Sequence, residues 1–219
     1  MIAKISGFFL YIYSVLVYRT CRFTIIGFDQ VEKMLKTDMP MIITSWHGMT
    51  MMVAALTKIK FDITSFAVIM PDDYRGDALK EFAKYLGVDP IPLNLHGDTT
   101  LGMGKKLVGM MKRISSGTNF LIHPDGPAGP AYKIKPGLTY IAKKTGAPIL
   151  PVGCYCRHAY HVPRWDRYTL PLPFSKIHIQ VGSLITVPGD VKDLEEINRD
   201  LEDIFNRLTF QASANYYEL

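Results

Sequence analysis

The apolar positions along this chain change period repeatedly, and each change marks an element. Short β-rich runs predict strands at Arg22–Gly27, Met41–Ser45, Ile63–Ile69, Val88–Leu93, Asn119–Ile122, Ile149–Tyr155 and Ile177–Val181. Between them the spacing turns helical. Met, Val, Ala and Leu fill Gly48–Lys58, and Asp72-Asp73 opens a helix whose Leu79, Phe82, Ala83 and Leu86 share one face. Further helices are expected over Thr99–Ser115 and Leu138–Lys144. Asp190 is expected to cap a C-terminal helix carrying the stripe Val191, Leu194, Ile197, Leu201, Ile204, Phe205 and Leu208. Pro90 and Pro92 place Val88–Leu93 at a sheet edge or strand end, because proline donates no ladder hydrogen bond.

Strands alternating with helices predict a single α/β domain with a mainly parallel central sheet flanked by helices. The late strand Ile177–Val181 is the one expected to pair antiparallel. An apolar helix precedes this domain, so the chain divides into a helix over residues 1–21 and an α/β domain over residues 22–219. No internal repeat, low-complexity tract or linker interrupts it.

The first segment, Ile5–Tyr18 (ISGFFLYIYSVLVY), is apolar nearly all round, with Lys4 before it and Arg19 and Arg22 after it. Fourteen helical residues reach about 21 Å, short of the ~30 Å hydrocarbon core of a bilayer. Its tyrosines and phenylalanines suit the headgroup boundary. The segment reads as an interfacial or partly inserted helix; a core helix of a soluble domain is the alternative. No small-residue cleavage site follows it. Were it to span, the basic excess after it would put the body of the protein on the cytoplasmic face of the cell membrane.

Composition narrows the class. Hydrophobic residues make up 48% and charged residues 21% of the 219 positions, which suits a packed core and excludes disorder. The formal net charge of +5 fits membrane phospholipids or anionic ligands. No basic helix or aromatic-studded basic strand accompanies it, so nucleic acid is not an expected partner. Three cysteines, Cys21, Cys154 and Cys156, offer no disulfide framework, and neither C-x-x-C nor H-E-x-x-H is present to bind a metal.

Two short stretches carry the chemistry. Ser45-Trp46-His47-Gly48 puts an imidazole just after a strand, and His123-Pro124-Asp125-Gly126-Pro127 puts a carboxylate in a stiff loop just after another. In open parallel sheets both fall at the ligand-binding edge, beyond the carboxyl ends of the strands. A neutral imidazole there can take a proton from a hydroxyl; a helix-capping histidine is the plainer reading. Asp125 can orient an imidazole, bind a headgroup or close a turn. Lys133 and Lys135 lie on one face of an extended segment and are candidates for phosphate contact. G-x-S-x-G is absent, Gly102-Met103-Gly104 lacks the third glycine of a dinucleotide loop, and no Walker-type loop occurs.

In their order, Trp46-His47-Gly48, Arg75-Gly76-Asp77-Ala78-Leu79, Pro124-Asp125-Gly126-Pro127, Lys135-Pro136-Gly137, Gly146–Gly153, Trp165-Asp166-Arg167 and Pro171-Leu172-Pro173-Phe174 resemble the lysophospholipid (glycerolphosphate) acyltransferase superfamily. The likeness is greatest to a bacterial branch catalogued as a domain of unknown function, and covers roughly residues 20 to 190. The resemblance implies transfer of a fatty acyl group from a thioester, on coenzyme A or acyl carrier protein as co-substrate, to a hydroxyl or amine. No bound cofactor is implied. It makes His47 the general base. Arg75, Gly126, Lys133 and Lys135 are the expected substrate-binding residues, and backbone amides near Gly126 are expected to face the developing oxyanion.

The chain departs from that pattern. Met52 stands where H-x-x-x-x-D requires its acid, so Asp125, or else Asp77, is expected to orient His47. Ala128 replaces an arginine, and a second basic position near Asn94–Thr99 is lost, with His96 nearby. Loss of these arginines weakens the case for a simple lysophospholipid acceptor. A non-catalytic lipid- or carrier-binding homologue and an acyl hydrolase are the competing readings. The acceptor, acyl chain length and oligomeric state stay open.

Overall fold

The structure is a computed structural model that describes residues 2–37, 39–72, 74–93, 100–126 and 128–218. The side chains of Tyr74, Arg75, Thr100, Leu101, Met103 and Glu218 fall outside the described part, as do Asn94–Thr99 with His96. One seven-stranded sheet organises the chain. Its strands are β1 (Arg22–Ile26), β2 (Ile42–Thr44), β3 (Phe66–Pro71), β4 (Asp89–Leu93), β5 (Asn119–Ile122), β6 (Ile149–Tyr155) and β9 (Lys176–Val181). They run in the order β1-β9-β6-β2-β5-β3-β4, and β7 (Ala159–His161) and β8 (Thr169–Pro171) form a separate antiparallel hairpin. Neighbouring strands are parallel except β6 and β9. The expected α/β architecture is therefore present, with its one antiparallel pairing where the sequence placed it and the proline-bearing β4 at an edge.

Burial explains the order. Ile42 and Ile43 of β2 are wholly enclosed, as are Phe120 of β5 and Ile149, Leu150 and Val152 of β6. Strands apolar on both faces need helices on both. The helices are α1 (Ile2–Thr20), α2 (Asp29–Leu35), α3 (Thr50–Lys60), α4 (Tyr74–Leu86), α5 (Thr100–Ser115), α6 (Gly137–Thr145) and α7 (Leu194–Glu218). Helix α7 begins later than expected. Asp193, rather than Asp190, accepts the Glu195 N–H at 2.8 Å, because Asp190 sits in a turn closed by the Val191 N–H on the Pro188 carbonyl.

Two differences bear on the site. Helix α1 has 19 residues, about 28 Å at 1.5 Å each, and so extends beyond the apolar segment Ile5–Tyr18 at both ends. It packs on α4, burying Gly7 and placing Phe8 and Tyr11 on the ring of Tyr85. The hairpin β7–β8 had no clear period in the sequence. Its base is tied to α1, where the Tyr13 hydroxyl donates to the Pro171 carbonyl at 2.7 Å.

Candidate active site

Strands β6, β2 and β5 lie side by side, with Thr44 paired to Ile122 on one flank and Pro151 on the other. Their carboxyl ends therefore open at one edge, and a loop from each arrives there. After β2 comes His47, in a short 3₁₀ turn over His47–Met49. After β5 comes Asp125. After β6 the hairpin brings Arg164, Trp165 and Asp166.

Trp46 fixes where His47 points. Its backbone is still extended (φ −62°, ψ 143°), so neighbouring side chains diverge. The Trp46 indole is buried edge-on against Phe205 of α7 and Tyr132, leaving the next residue to face the crevice. There the imidazole is framed by the rings of Trp165, His123 and Tyr168. Its side chain remains 27% exposed, enough to be reached.

His47 Nδ1 lies 2.7 Å from Asp166 Oδ2. A carboxylate on Nδ1 makes that nitrogen the proton donor and leaves Nε2 with its lone pair, the tautomer a general base requires. The Asp166 side chain is fully enclosed, and Arg164 grips it with both arms, Nε to Oδ1 at 3.1 Å and Nη2 to Oδ2 at 2.5 Å. Burial penalises the ionised carboxyl, but the hydrogen bonds from Arg164 and His47 outweigh it and hold its proton affinity below the ordinary carboxylate range.

The carboxylate on the ring is thus neither of those expected. Asp125 is buried and takes the backbone N–H of His47 at 2.9 Å and that of Tyr132 at 3.4 Å. It pins the His47 backbone, while Asp166 holds the ring. Burial raises its carboxyl above the usual range, against the pull of those two amides. Asp77 sits in the first turn of α4, 60% exposed with Lys80 3.8 Å away, and no described contact joins it to His47. Met52, at the place of the missing acid, is buried in the core on α3.

The remaining expected residues divide. Gly126 packs on the imidazole so closely that a Cβ there would lie 2.8 Å from His47 Cδ2. Its amide is already spent on the His123 carbonyl, and the Gly129 amide on that of Asp125, so these two amides do not face an oxyanion. Lys135 reaches this spot, donating to the Gly126 carbonyl at 3.0 Å. Lys133 turns away to Glu202 of α7, at 2.9 Å. Arg75 is the second residue of α4, with its side chain outside the described part. Among the described residues no cluster of His, Cys, Asp or Glu could hold a metal ion.

His123 is a second imidazole at the edge. Its Nδ1 donates to the Ser45 carbonyl at 3.0 Å, while its buried Nε2 has no hydrogen-bond partner. Burial, and then the neighbouring His47, lower its pKa to about 3, so it stays neutral.

The architecture around this dyad is found elsewhere. The chain superposes on the crystal structure of the 1-acyl-sn-glycerophosphate (LPA) acyltransferase PlsC from Thermotoga maritima with a TM-score of 0.62, over 97% of this chain and 78% of that one. This chain has the fold of a glycerophosphate acyltransferase. Sequence identity to that enzyme is 19%, so the likeness is one of architecture. In sequence, the chain is 29% identical over 202 residues to the protein RP090 of Rickettsia prowazekii (strain Madrid E), itself of uncharacterised function. That match spans 91% of this chain and 89% of RP090. No protein-family profile matches the chain.

Asp166 and Arg164 are the site residues that sequence reasoning missed. No spacing rule links positions 47 and 166. A signal was nonetheless present, because Arg164, Trp165 and Asp166 follow Ile149–Tyr155. The edge rule that located His47 and Asp125 applies to the loop after that strand as well.

Proposed function

We propose that this protein is an acyltransferase that moves a fatty acyl group from a thioester to a hydroxyl or amine, with His47 as general base. The observation that carries this reading is the His47–Asp166 pair at 2.7 Å, set at the ligand edge of an acyltransferase fold. His47 Nε2 takes the acceptor's proton as its oxygen or nitrogen attacks the thioester carbonyl. Asp166 steadies the imidazolium that forms. The tetrahedral intermediate then collapses, the carbon–sulfur bond breaks, and the imidazolium returns its proton to the leaving thiolate. The Lys135 ammonium, held on the carbonyl of Gly126, is the cation we assign to an anionic group of a substrate.

The donor in this proposal is an acyl-coenzyme A or acyl-carrier thioester, and the acceptor a lysophospholipid or another lipid or small molecule. The reading of a non-catalytic homologue loses one of its two motives, since Asp166 stands on the His47 ring; the arginine replaced by Ala128 is the motive that stays. Membrane association is supported by α1, whose outward face carries Ile2, Ile5, Phe9, Ile12 and Leu16, all exposed. Its inner face is packed on α4, a helix bearing Asp77, Lys80, Glu81 and Lys84. Carrying α1 across a bilayer would drag those charges into hydrocarbon, so we read α1 as lying along a lipid surface.

The deciding experiment incubates the protein with a radiolabelled long-chain acyl-coenzyme A and a panel of lysophospholipids, separating lipid products from free acid. Acylated acceptor that disappears in His47→Ala supports the proposal. Free acid alone makes the protein a hydrolase, and turnover unaffected by His47→Ala removes the assigned base.

A further inference from the structure

The loop between β8 and β9 exposes two apolar side chains, Leu172 at 48% and Phe174 at 78%. Phe174 also holds a left-handed backbone, with φ +67°, a conformation that strains a residue with a bulky side chain. A strained backbone that lifts an aromatic ring into water gains nothing from the protein's own core, so its partner lies outside the chain.

Its position identifies that partner. The Phe174 N–H donates to Thr20 Oγ1 at 3.2 Å, Cys21 Sγ bonds the Leu172 carbonyl, and the Arg22 N–H bonds the Ser175 carbonyl. The loop is thereby stapled to the carboxyl end of α1. Thr20 follows Leu16 by four residues and continues the helix face of Phe9 and Leu16. The Phe174 loop therefore extends the apolar stripe of α1.

Charge selects the kind of surface. Residues 2–28 and 167–189 contain no Asp or Glu, but they do contain Lys4, Arg19, Arg22, Arg167 and Lys176. Arg19, Arg22 and Lys176 are exposed around the loop, with Arg22 and Lys176 paired across β1 and β9. An apolar wedge with a basic rim and no acid in its own segments is complementary to an anionic bilayer, with the rings below the headgroups and the cations among the phosphates.

We propose that Leu172 and Phe174 insert into an anionic phospholipid surface as a second anchor beside α1. This rests on the reading of α1 as a surface helix and extends it to the hairpin that carries Asp166. Membrane seating would then fix the position of the hairpin.

The test uses the full chain with vesicles of phosphatidylcholine alone or mixed with phosphatidylglycerol. Phe174→Trp reports insertion by fluorescence quenching from brominated acyl chains, over the background of the native tryptophans. Phe210→Trp is the control, since Phe210 is 73% exposed on α7, which packs on β6 and β9. Expected are strong quenching at 174, none at 210, and an affinity for anionic vesicles at least about tenfold lower in Phe174→Asp. If wild type binds vesicles while the residue 174 probe stays unquenched, the loop proposal is overturned and α1 alone is the anchor. If wild type ignores both vesicles, the surface-helix reading fails along with it. A lipid-free dimer that Phe174→Asp dissociates would assign the face to a second copy and also overturn the proposal.

Discussion

Gly48 and Asp166 touch through their backbones: a Cβ on Gly48 would lie 2.3 Å from the Asp166 carbonyl oxygen. The residue after the imidazole thus admits the loop that delivers its carboxylate. Backbone cannot yield as a side chain tip can, so Gly48→Ala must push residue 166 outwards. Activity is expected to fall by at least about tenfold, since small displacements of catalytic groups are costly. The downfield proton resonance expected of the Nδ1–H···Asp166 bond should vanish with it. An unchanged resonance and full activity would show that the loop docks by other contacts.

Asp166→Asn and Asp125→Asn should separate the two carboxylates. The first removes the acceptor that sets the tautomer and is expected to cost about 10²- to 10⁴-fold in kcat. The second keeps an oxygen for the His47 N–H and relieves a buried charge, so kcat should stay within about tenfold. Steady-state kinetics on both variants decide it, and a reversal of the order would restore Asp125 as the orienting acid.

Arg164 acts through Asp166. Because the carboxyl's pKa is depressed in the folded protein, its stabilisation is full above the ordinary carboxylate pKa and is lost as pH falls through the depressed value. Arg164→Gln removes the main cause of that depression. Acid unfolding should therefore begin at higher pH. The loss at neutral pH is expected to be about 1–2 kcal/mol, a figure reduced because the guanidinium is partly solvated. Urea titrations across the acid range measure both, and Arg164→Lys should recover only part because it lacks the fork.

His123 gives the protein a second acid sensitivity. Its pKa falls from 6.5 to about 3 on folding. The neutral ring thus favours the folded state fully above 6.5, and the advantage drains away as pH drops from 6.5 towards 3, to a total of a few kcal/mol. His123→Phe should flatten that slope, read from unfolding free energies at pH 7 and pH 5. An equal slope in both proteins would place the sensitivity elsewhere.

What the sequence made legible follows from the range of the forces involved. Strand β5 and strand β6 were delimited to the residue, because an enclosed apolar run between turn residues depends on neighbours alone. His47 and its edge followed from its place directly after a strand of a parallel sheet. The identity of its acid did not, since Asp166 is brought in by a hairpin whose three-residue strands carry too few positions to show a period. The start of α7 moved because Lys143 Nζ and the Pro188 turn engage the segment around Val191, contacts that no local pattern encodes. The turn amides near Gly126 were expected to face substrate; loop closure consumed them.

The imidazole and the carboxylate are separated by 119 residues, and this has a consequence for biosynthesis. At an elongation rate of 5–20 residues per second, His47 is made roughly 6 to 24 s before Asp166. Through that interval the nascent chain holds a histidine with no acid to fix its tautomer. The hairpin then still has to dock onto α1, which was made first. Chain order thus keeps the dyad unassembled until most of the protein has been synthesised.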